Sequence, residues 1–296
     1  MAALRDIQNK ITAVKKTAQI TRAMNMVAAA KLRGVQGKNE NFRPYAHKLG
    51  EMLTALLIGV EPGSHPLLIP QDEVKKVGLI LLTADRGLCG SFNLNLLAAG
   101  ERFLKERREM GQEVQVYVIG RRGRDYFRRR KIEVAESMVG AMNVVDFDLA
   151  LSVARLGLNA FMADEVQEVY IVYSRFNSMV SQVPNVERLL PITFEAPEDQ
   201  ISDTEEVQPI DYLVEPSAEE ILADLLPKYL NVRVYQALLE TATSEHAARM
   251  TAMDNANQNC RDLINDLTLL FNKARQAAIT TELMDIVGGA EALKAV

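Results

Sequence analysis

Tryptophan is absent from this chain, cysteine occurs twice, and aromatic residues make up 6% of its 296 positions. Large compact cores draw heavily on aromatic side chains, so this scarcity favours extended helical structure over one globular core. The two cysteines, Cys89 and Cys260, sit far apart in sequence and offer neither a disulfide framework nor metal-ligand spacing. A reducing compartment is expected from that usage. No apolar run reaches the roughly 18–20 residues of a membrane span; Met52 to Val60 comes nearest and reads as the end of a helix. The N-terminus is basic, amphipathic and poor in acids, as in an organellar transit peptide. Its periodicity, however, continues into a helix that the C-terminal segment needs as a partner, which argues against a cleaved leader.

Glycine and proline are missing from two long stretches, residues 1–33 and 228–287. In the second, apolar or small residues recur at steps of three and four: Val232, Tyr235, Leu239, Ala242, then Met253, Ala256, Cys260, Leu263, Leu267, Leu270, Ala274 and Ala277. That is a heptad seam; at about 1.5 Å per residue, a single helix over this stretch spans roughly 90 Å. The first stretch repeats the pattern with Ile7, Ile11, Val14, Ala18, Thr21, Asn25, Ala28 and Leu32. Two such segments most economically pair with each other, antiparallel, each covering an apolar stripe worth about 25 cal/mol per Å². Pro44, Gly50 and Gly59 are expected to bend or end the first helix, with Pro62-Gly63 closing it. The seam breaks at His246 and Arg249, and beyond them Asp254, Asn255, Asn257, Gln258 and Asn259 make the helix polar nearly all round. Such a helix is either enclosed by other protein or only intermittently packed.

Charge is unevenly spread. Residues 1–48 carry ten Lys and Arg against Asp6 and Glu40, whereas Glu195 to Asp224 holds eleven acids and no base. Opposite charge at two places suggests two different partners.

Between the long helices, residues 74–214 alternate strand and helix. The spacing predicts strands at Val77–Thr83, Glu113–Ile119, Ile132–Ala135 and Glu168–Tyr173, and helices at Phe92–Met110, Arg124–Arg130 and Phe147–Met162. Val180–Ile192 reads as an edge strand or hairpin, because Pro184 and Pro191 cannot serve a central strand. Ser217 and Glu220 form a capping box that starts the last helix, and Pro227 is expected to kink it. The fold expected is α/β: a long antiparallel coiled coil of the N- and C-terminal helices (1–60 and 217–287) plus a central Rossmann-like α/β domain (74–214).

Three motifs in the middle invite chemical readings. The loop Asp85-Arg86-Gly87-Leu88-Cys89-Gly90-Ser91 joins a strand to a helix, where phosphates are often cradled, but it lacks both the P-loop ending and the dinucleotide glycine spacing. A structural turn is the better reading. Cys89 stands at a helix start without a histidine nearby in sequence, which suits a packed thiol more than a nucleophile. Arg121, Arg122, Arg124, Arg128, Arg129, Arg130 and Lys131, with Tyr126 and Phe127 among them, resemble a nucleic-acid patch; in an acidic chain a solvated or protein-docking face is favoured.

Three blocks then resemble the gamma subunit of the bacterial rotary ATP synthase. They are Ile20-Thr-Arg-Ala-Met-Asn-Met-Val-Ala-Ala-Ala-Lys31, Thr83-Ala-Asp-Arg-Gly-Leu-Cys-Gly-Ser-Phe-Asn93, and Ser244-Glu-His-Ala-Ala-Arg-Met-Thr-Ala-Met-Asp-Asn-Ala256 with Asn272-Lys-Ala-Arg-Gln-Ala-Ala-Ile-Thr280. The resemblance implies a central rotor stalk whose coiled coil stands in a ring of alpha and beta subunits, with the α/β domain against the epsilon subunit and the membrane c-ring. It implies no catalytic, cofactor or metal residue in this chain and no nucleic-acid partner; nucleotides and magnesium would bind on the partners. It implies a peripheral place on the cytoplasmic face of the bacterial inner membrane, reached through the c-ring. By the same resemblance Met24, Arg249, Gln276, Thr280 and Glu282 match contacts with the alpha/beta ring, and Tyr212 and Glu215 match contacts with the c-ring and epsilon. The connection from Thr193 to Ile210 is short and cysteine-free, so the thiol switch of plant chloroplast relatives is not expected. A coiled-coil scaffold with an α/β head accounts for the helices but not for the three blocks.

Overall fold

Val77, Leu79 and Leu81 alternate with Ile80 and Leu82 along one run, and both sets are fully buried, one on each side of the strand. A strand apolar on both faces belongs at the centre of a sheet covered by helices on each side. The computed structural model describes residues 2–58, 65–71, 73–193 and 217–294. It contains this strand, β1 (Lys76–Leu82), together with β2 (Glu113–Ile119), β3 (Glu136–Met138), β4 (Glu168–Phe176) and β5 (Gln182–Leu190). The helices are α1 (Ala2–Ile58), α2 (Phe92–Glu109), α3 (Arg121–Arg129), α4 (Phe147–Met162) and α5 (Ala218–Lys294). The sheet has five strands in the order β3-β2-β1-β4-β5. Four run parallel, and β5 returns antiparallel along β4 as the edge that the prolines foretell.

The chain divides into two compact units: Met1–Ala29 with Arg249–Val296, and Ala30–Ala248. In the larger unit, one face of the sheet (Val77, Leu79, Leu81, Val116, Val118, Val172) packs on α2 and on Phe127 of α3. The other face (Ile80, Leu82, Tyr117, Ile119, Val169, Ile171) packs on α4, on Leu49, Leu53 and Leu56 of α1, and on Leu222 to Ala242 of α5. In the smaller unit, the first turns of α1 lie beside the second half of α5. Asn25 Nδ2 donates to the Met250 carbonyl at 2.9 Å, and Thr21, Ala28 and Met253 are buried.

Four expectations need correction. Pro44 and Gly50 do not end the first helix, since α1 runs through both to Ile58. A mid-helix proline costs about 3 kcal/mol, and burying Leu49, Leu53 and Leu56 at about 1.5–3 kcal/mol each offsets it. The third strand is Glu136–Met138, not Ile132–Ala135. Ile132 and Val134 pack against the α2 side as a connector, while the hydrogen-bonded pairing falls on the more polar residues after them. The arginine helix begins at Arg121, three residues early, because Asp85 receives its first amide. The last helix continues through Gly288 to Lys294. Ser217 does cap its start, accepting from Glu220 N at 3.3 Å.

Glycines separate packing from slack. A Cβ at Gly123 would stand 2.6 Å from Val118 Cγ1 and 2.9 Å from Thr83 Oγ1, whereas one at Gly50 meets nothing within 4 Å. Gly123→Ala is expected to cost about 1–3 kcal/mol in urea unfolding, and Gly50→Ala to add about 0.4–1 kcal/mol. Equal effects at the two positions would contradict the packing described.

Candidate functional site

In an open parallel sheet, ligands enter at the carboxyl ends of the strands where the connections diverge, here between β1 and β4. That crevice is already occupied by the chain itself. Ser174 at the end of β4 donates its N–H to Thr241 Oγ1 at 3.3 Å and accepts from Ser244 Oγ at 3.2 Å. Thr241, Thr243 and Ser244 have no exposed surface. Helix α5 therefore fills the position where a doubly wound enzyme holds its ligand.

The loop after β1 is fastened just as completely. The Asp85 carboxylate accepts from the amides of Arg121 (2.9 Å), Gly140 (2.8 Å) and Met142 (3.1 Å). Thr83 Oγ1 accepts from Gly123 N at 3.0 Å and donates to the Ile119 carbonyl at 3.0 Å. Asn93 accepts from Ala84 N and donates to Cys89 Sγ, each at 3.0 Å, and Cys89 is buried. These bonds tie the ends of β1, β2 and β3 together. They make the loop a structural knot with its thiol inside.

A second polar cluster lies between β4, β5 and α5. Arg233 pairs with Glu187, and Tyr173 donates to Glu187 at 3.0 Å while accepting from Asn185 at 3.1 Å. Burial works against the Arg233 charge, but Glu187 more than restores it and holds that guanidinium above its ordinary value. Burial, reinforced by the charges of Glu187 and Glu240, pushes the Tyr173 phenol up. Glu240 itself has one oxygen 3.4 Å from Gln236 Nε2 and the other buried with no hydrogen-bond partner among the described residues. Sequence reading missed this cluster, and the Asp85 clamp and the Ser174 lock with it. The signal was there in Thr241, Thr243 and Ser244, polar residues clustered within one turn of a helix otherwise apolar enough to be core.

The smaller unit has a different character. Along α1, Leu4, Ile7, Ile11, Val14, Ala18, Thr21, Asn25 and Ala28 are at least half-buried, in 3-4 steps. Along α5 the covered residues are Met253, Ala256, Cys260, Ile264, Leu267, Phe271, Ala274 and Ala278. The expected seam positions Leu263, Leu270 and Ala277 are thus displaced by one residue and exposed. Heptads apolar at two adjacent positions permit either phase, and the bulkier Phe271 takes the inner one. Leu263 and Leu270 are 46% and 51% exposed, and Leu269, Ile279, Leu283, Met284, Ile286 and Val287 are exposed too. Asp254, Asn255, Gln258 and Asn259 are solvated, whereas His246 and Arg249 are buried and have partners.

Of the residues singled out by resemblance, Met24 is half-buried beside the Asn25–Met250 contact, and Arg249 lies one residue from it on α5. Gln276, Thr280 and Glu282 are exposed on α5, and Thr280 Oγ1 donates back to the Gln276 carbonyl at 3.0 Å. Tyr212 and Glu215 lie outside the described residues, as does most of the acidic run.

A family model described as ATP synthase matches residues 3–293. An ATP synthase gamma chain of Syntrophobacter fumaroxidans is 54% identical over 295 residues, covering 99% of this chain and 100% of that protein. This chain belongs to the ATP synthase gamma chain family. The gamma chain of Maridesulfovibrio salexigens is 48% identical over 294 residues, covering 99% and 100%. Among solved structures, a chain of the Euglena gracilis mitochondrial ATP synthase (OSCP/F1/c-ring) aligns with TM-score 0.70 at 20% identity, covering 99% of this chain and 95% of that one. A chain from the central stalk/c-ring of the Tetrahymena thermophila mitochondrial enzyme aligns with TM-score 0.59 at 24% identity, covering 80% and 99%. At those identities they speak for the fold alone. As a gamma-family chain it is a subunit of an enzyme complex, and no helix among its described residues is long and apolar enough to cross a membrane.

Burial raises the Glu240 carboxyl above its ordinary value; Gln236, Arg175 and the Phe176 N–H oppose the shift and Glu187 adds to it. The folded chain then holds this proton more tightly than the unfolded one. Its contribution to stability is fullest at acid pH and is lost as pH rises through the raised value. Glu240→Gln is expected to leave the urea midpoint unchanged near about pH 4 and to raise it near about pH 8. A midpoint lowered near about pH 8 would mean that the ionised carboxylate is stabilising.

Proposed function

We infer that this chain is the central rotor stalk of a proton-translocating ATP synthase, transmitting torque between the membrane c-ring and the catalytic alpha/beta ring. The observation that carries this reading, beyond family membership, is the apolar surface left uncovered on α5 between Leu263 and Val287. Two paired helices bury one stripe each; a second apolar stripe on the same helix needs other protein around it. A ring that encloses the helix supplies such surroundings, and a wide spread of weak apolar contacts resists sticking at any single angle. The filled crevice of the larger unit fits a subunit that leaves bond chemistry to its partners.

In this reading Met24, Arg249, Gln276, Thr280 and Glu282 face the alpha/beta ring, and Tyr212 and Glu215 face the c-ring and epsilon. The chain reaches the membrane only through the c-ring, on its cytoplasmic face. A single chain without internal repeat also gives a three-fold ring three unequal surroundings, which is what drives its sites through different states in turn.

The test is a complete synthase carrying this chain, reconstituted in vesicles. Removing about two turns from the end of α5 together with Arg249→Ala and Gln276→Ala is expected to cut ATP-driven proton pumping roughly tenfold. Pumping at the unaltered rate would remove the contact assignments. Coupled synthesis by a complex lacking the chain would remove the rotor reading itself.

A further inference from the structure

Most of the charge on the arginine cluster of α3 is not used by the knot, the core or the crevice. Between Arg121 and Lys131 there are seven bases and one acid. Asp125 takes Arg124 and Arg128, and Glu101 takes Arg130, whose guanidinium also lies 4.7 Å from the Tyr126 ring. Arg121, Arg122, Arg129 and Lys131 remain exposed, with no ion pair among the described residues. Two of these four stand in the first turn of α3, where the helix dipole disfavours positive charge; the turn itself has no acid, and the one carboxylate that meets it, Asp85, is engaged by backbone amides. Three cations on one short helix and Lys131 just beyond its end, none in an ion pair among the described residues, raise the free energy of the isolated chain unless something anionic meets them.

The geometry discriminates between anions. A phosphate cradle needs open amides at the helix start. Here Arg121 N goes to Asp85, Arg122 N to the Ala84 carbonyl and Gly123 N to Thr83 Oγ1. Binding single-stranded nucleic acid needs free aromatic faces for stacking. Phe127 is fully buried, and Tyr126 packs against Phe127 and Arg130. Insertion at a lipid surface needs apolar side chains among the bases, and the exposed residues from 121 to 131 are all charged. Guanidinium forks are suited to carboxylates, which they meet two hydrogen bonds at a time; that of Arg122 lies over Gly87 of the loop after β1, with its outer side exposed.

We propose that Arg121, Arg122 and Arg129 on α3, with Lys131 just beyond its end, form a docking surface for an acidic segment of a protein partner. This rests on the reading that the chain works inside a multi-subunit assembly. A photo-crosslinking phenylalanine derivative at position 128 of the chain, in the purified complete synthase, reads the neighbour directly. The expected product joins it to a peptide in which acids outnumber bases, with its yield lowered about fivefold or more by Arg121→Gln, Arg122→Gln, Arg129→Gln and Lys131→Gln together. The matched control, Lys10→Gln, Lys15→Gln, Lys16→Gln and Lys31→Gln, is expected to leave the yield unchanged. A product with a neutral or basic peptide, with lipid or with nucleic acid overturns the proposal, as does no product at all in an assembled complex.

A second arm is independent of assembly. The isolated chain is titrated with a peptide of about 20 glutamates, a single-stranded oligonucleotide of about 20 nucleotides, and phosphatidylserine vesicles. Peptide binding that falls about tenfold in the α3 variant, but not in the α1 control, supports the proposal. Equal loss in both, or stronger binding of oligonucleotide or vesicles through the same four residues, overturns it. Should the unaltered chain fail to assemble into a synthase, the rotor reading falls and this titration alone decides the docking surface.

Discussion

Residues 237–247 of α5 are buried except for the half-buried Glu240, an unusual condition for a helix in a chain whose described residues also form a sheet and four other α-helices. Most helices cover one stripe and solvate the rest. This one gives its apolar side chains to α1, α4 and the sheet, and its Thr241 and Ser244 hydroxyls to the backbone of β4. The two serine and threonine contacts matter more than their number suggests. They satisfy Ser174 N–H and C=O at a strand end that would otherwise stand open to water or to a ligand. Leaving a buried backbone group unpaired costs about 1–3 kcal/mol, so the helix and the strand end hold each other in register. The open α/β sheet is thereby turned from a ligand-binding scaffold into a clamp on a helix.

The smaller unit stands under the opposite constraint. Its two helices meet through small or polar residues such as Ala18, Thr21, Asn25 and Ala28, which allow close approach but bury little area. Asn25 adds a hydrogen bond to the Met250 carbonyl, fixing axial position where a purely apolar seam would slide. A two-helix pairing with this composition is modest in its own stability, yet α5 carries more exposed leucine, isoleucine and methionine there than solvation alone explains. Stability in one unit and unmet apolar surface in the other suit a subunit held firmly at one place and surrounded at another.

The elements whose pattern repeats were legible in the residues. Phe147–Met162, Glu113–Ile119 and the heptads of both ends all follow from periodicity, and the edge strand follows from Pro184. What could not be read was decided by partners distant in the chain. Pro44 looks like a helix end until Leu49, Leu53 and Leu56 are seen in the core. Ile132 and Val134 look like a strand until the hydrogen bonds are found on Glu136–Met138. The choice between Leu263 and Ile264, or Leu270 and Phe271, turns on one residue of phase that the heptad leaves open. Asp85 belongs to the loop motif, but its three amide partners lie on segments more than thirty residues away.

The same distinction bears on what the chain does. A loop like 85–91 at the end of a central parallel strand has the position of a phosphate site and none of its chemistry, because Asp85, a carboxylate, stands where an anion would have to bind and consumes the neighbouring amides itself. Replacing a bound ligand with an internal carboxylate makes the end of the sheet permanent where an enzyme's is conditional on substrate. Permanence is a requirement for a part that transmits force, since any segment that loosens under load dissipates the work passed through it. The internal carboxylate, the hydroxyl lock on Ser174 and the glycine-tight seat of α3 on Val118 all act in that direction. The exposed stripe on α5, and the bases Arg121, Arg122 and Arg129 of α3 that have no ion pair among the described residues, are then the two surfaces proposed to meet other subunits, one by apolar contact and one by charge.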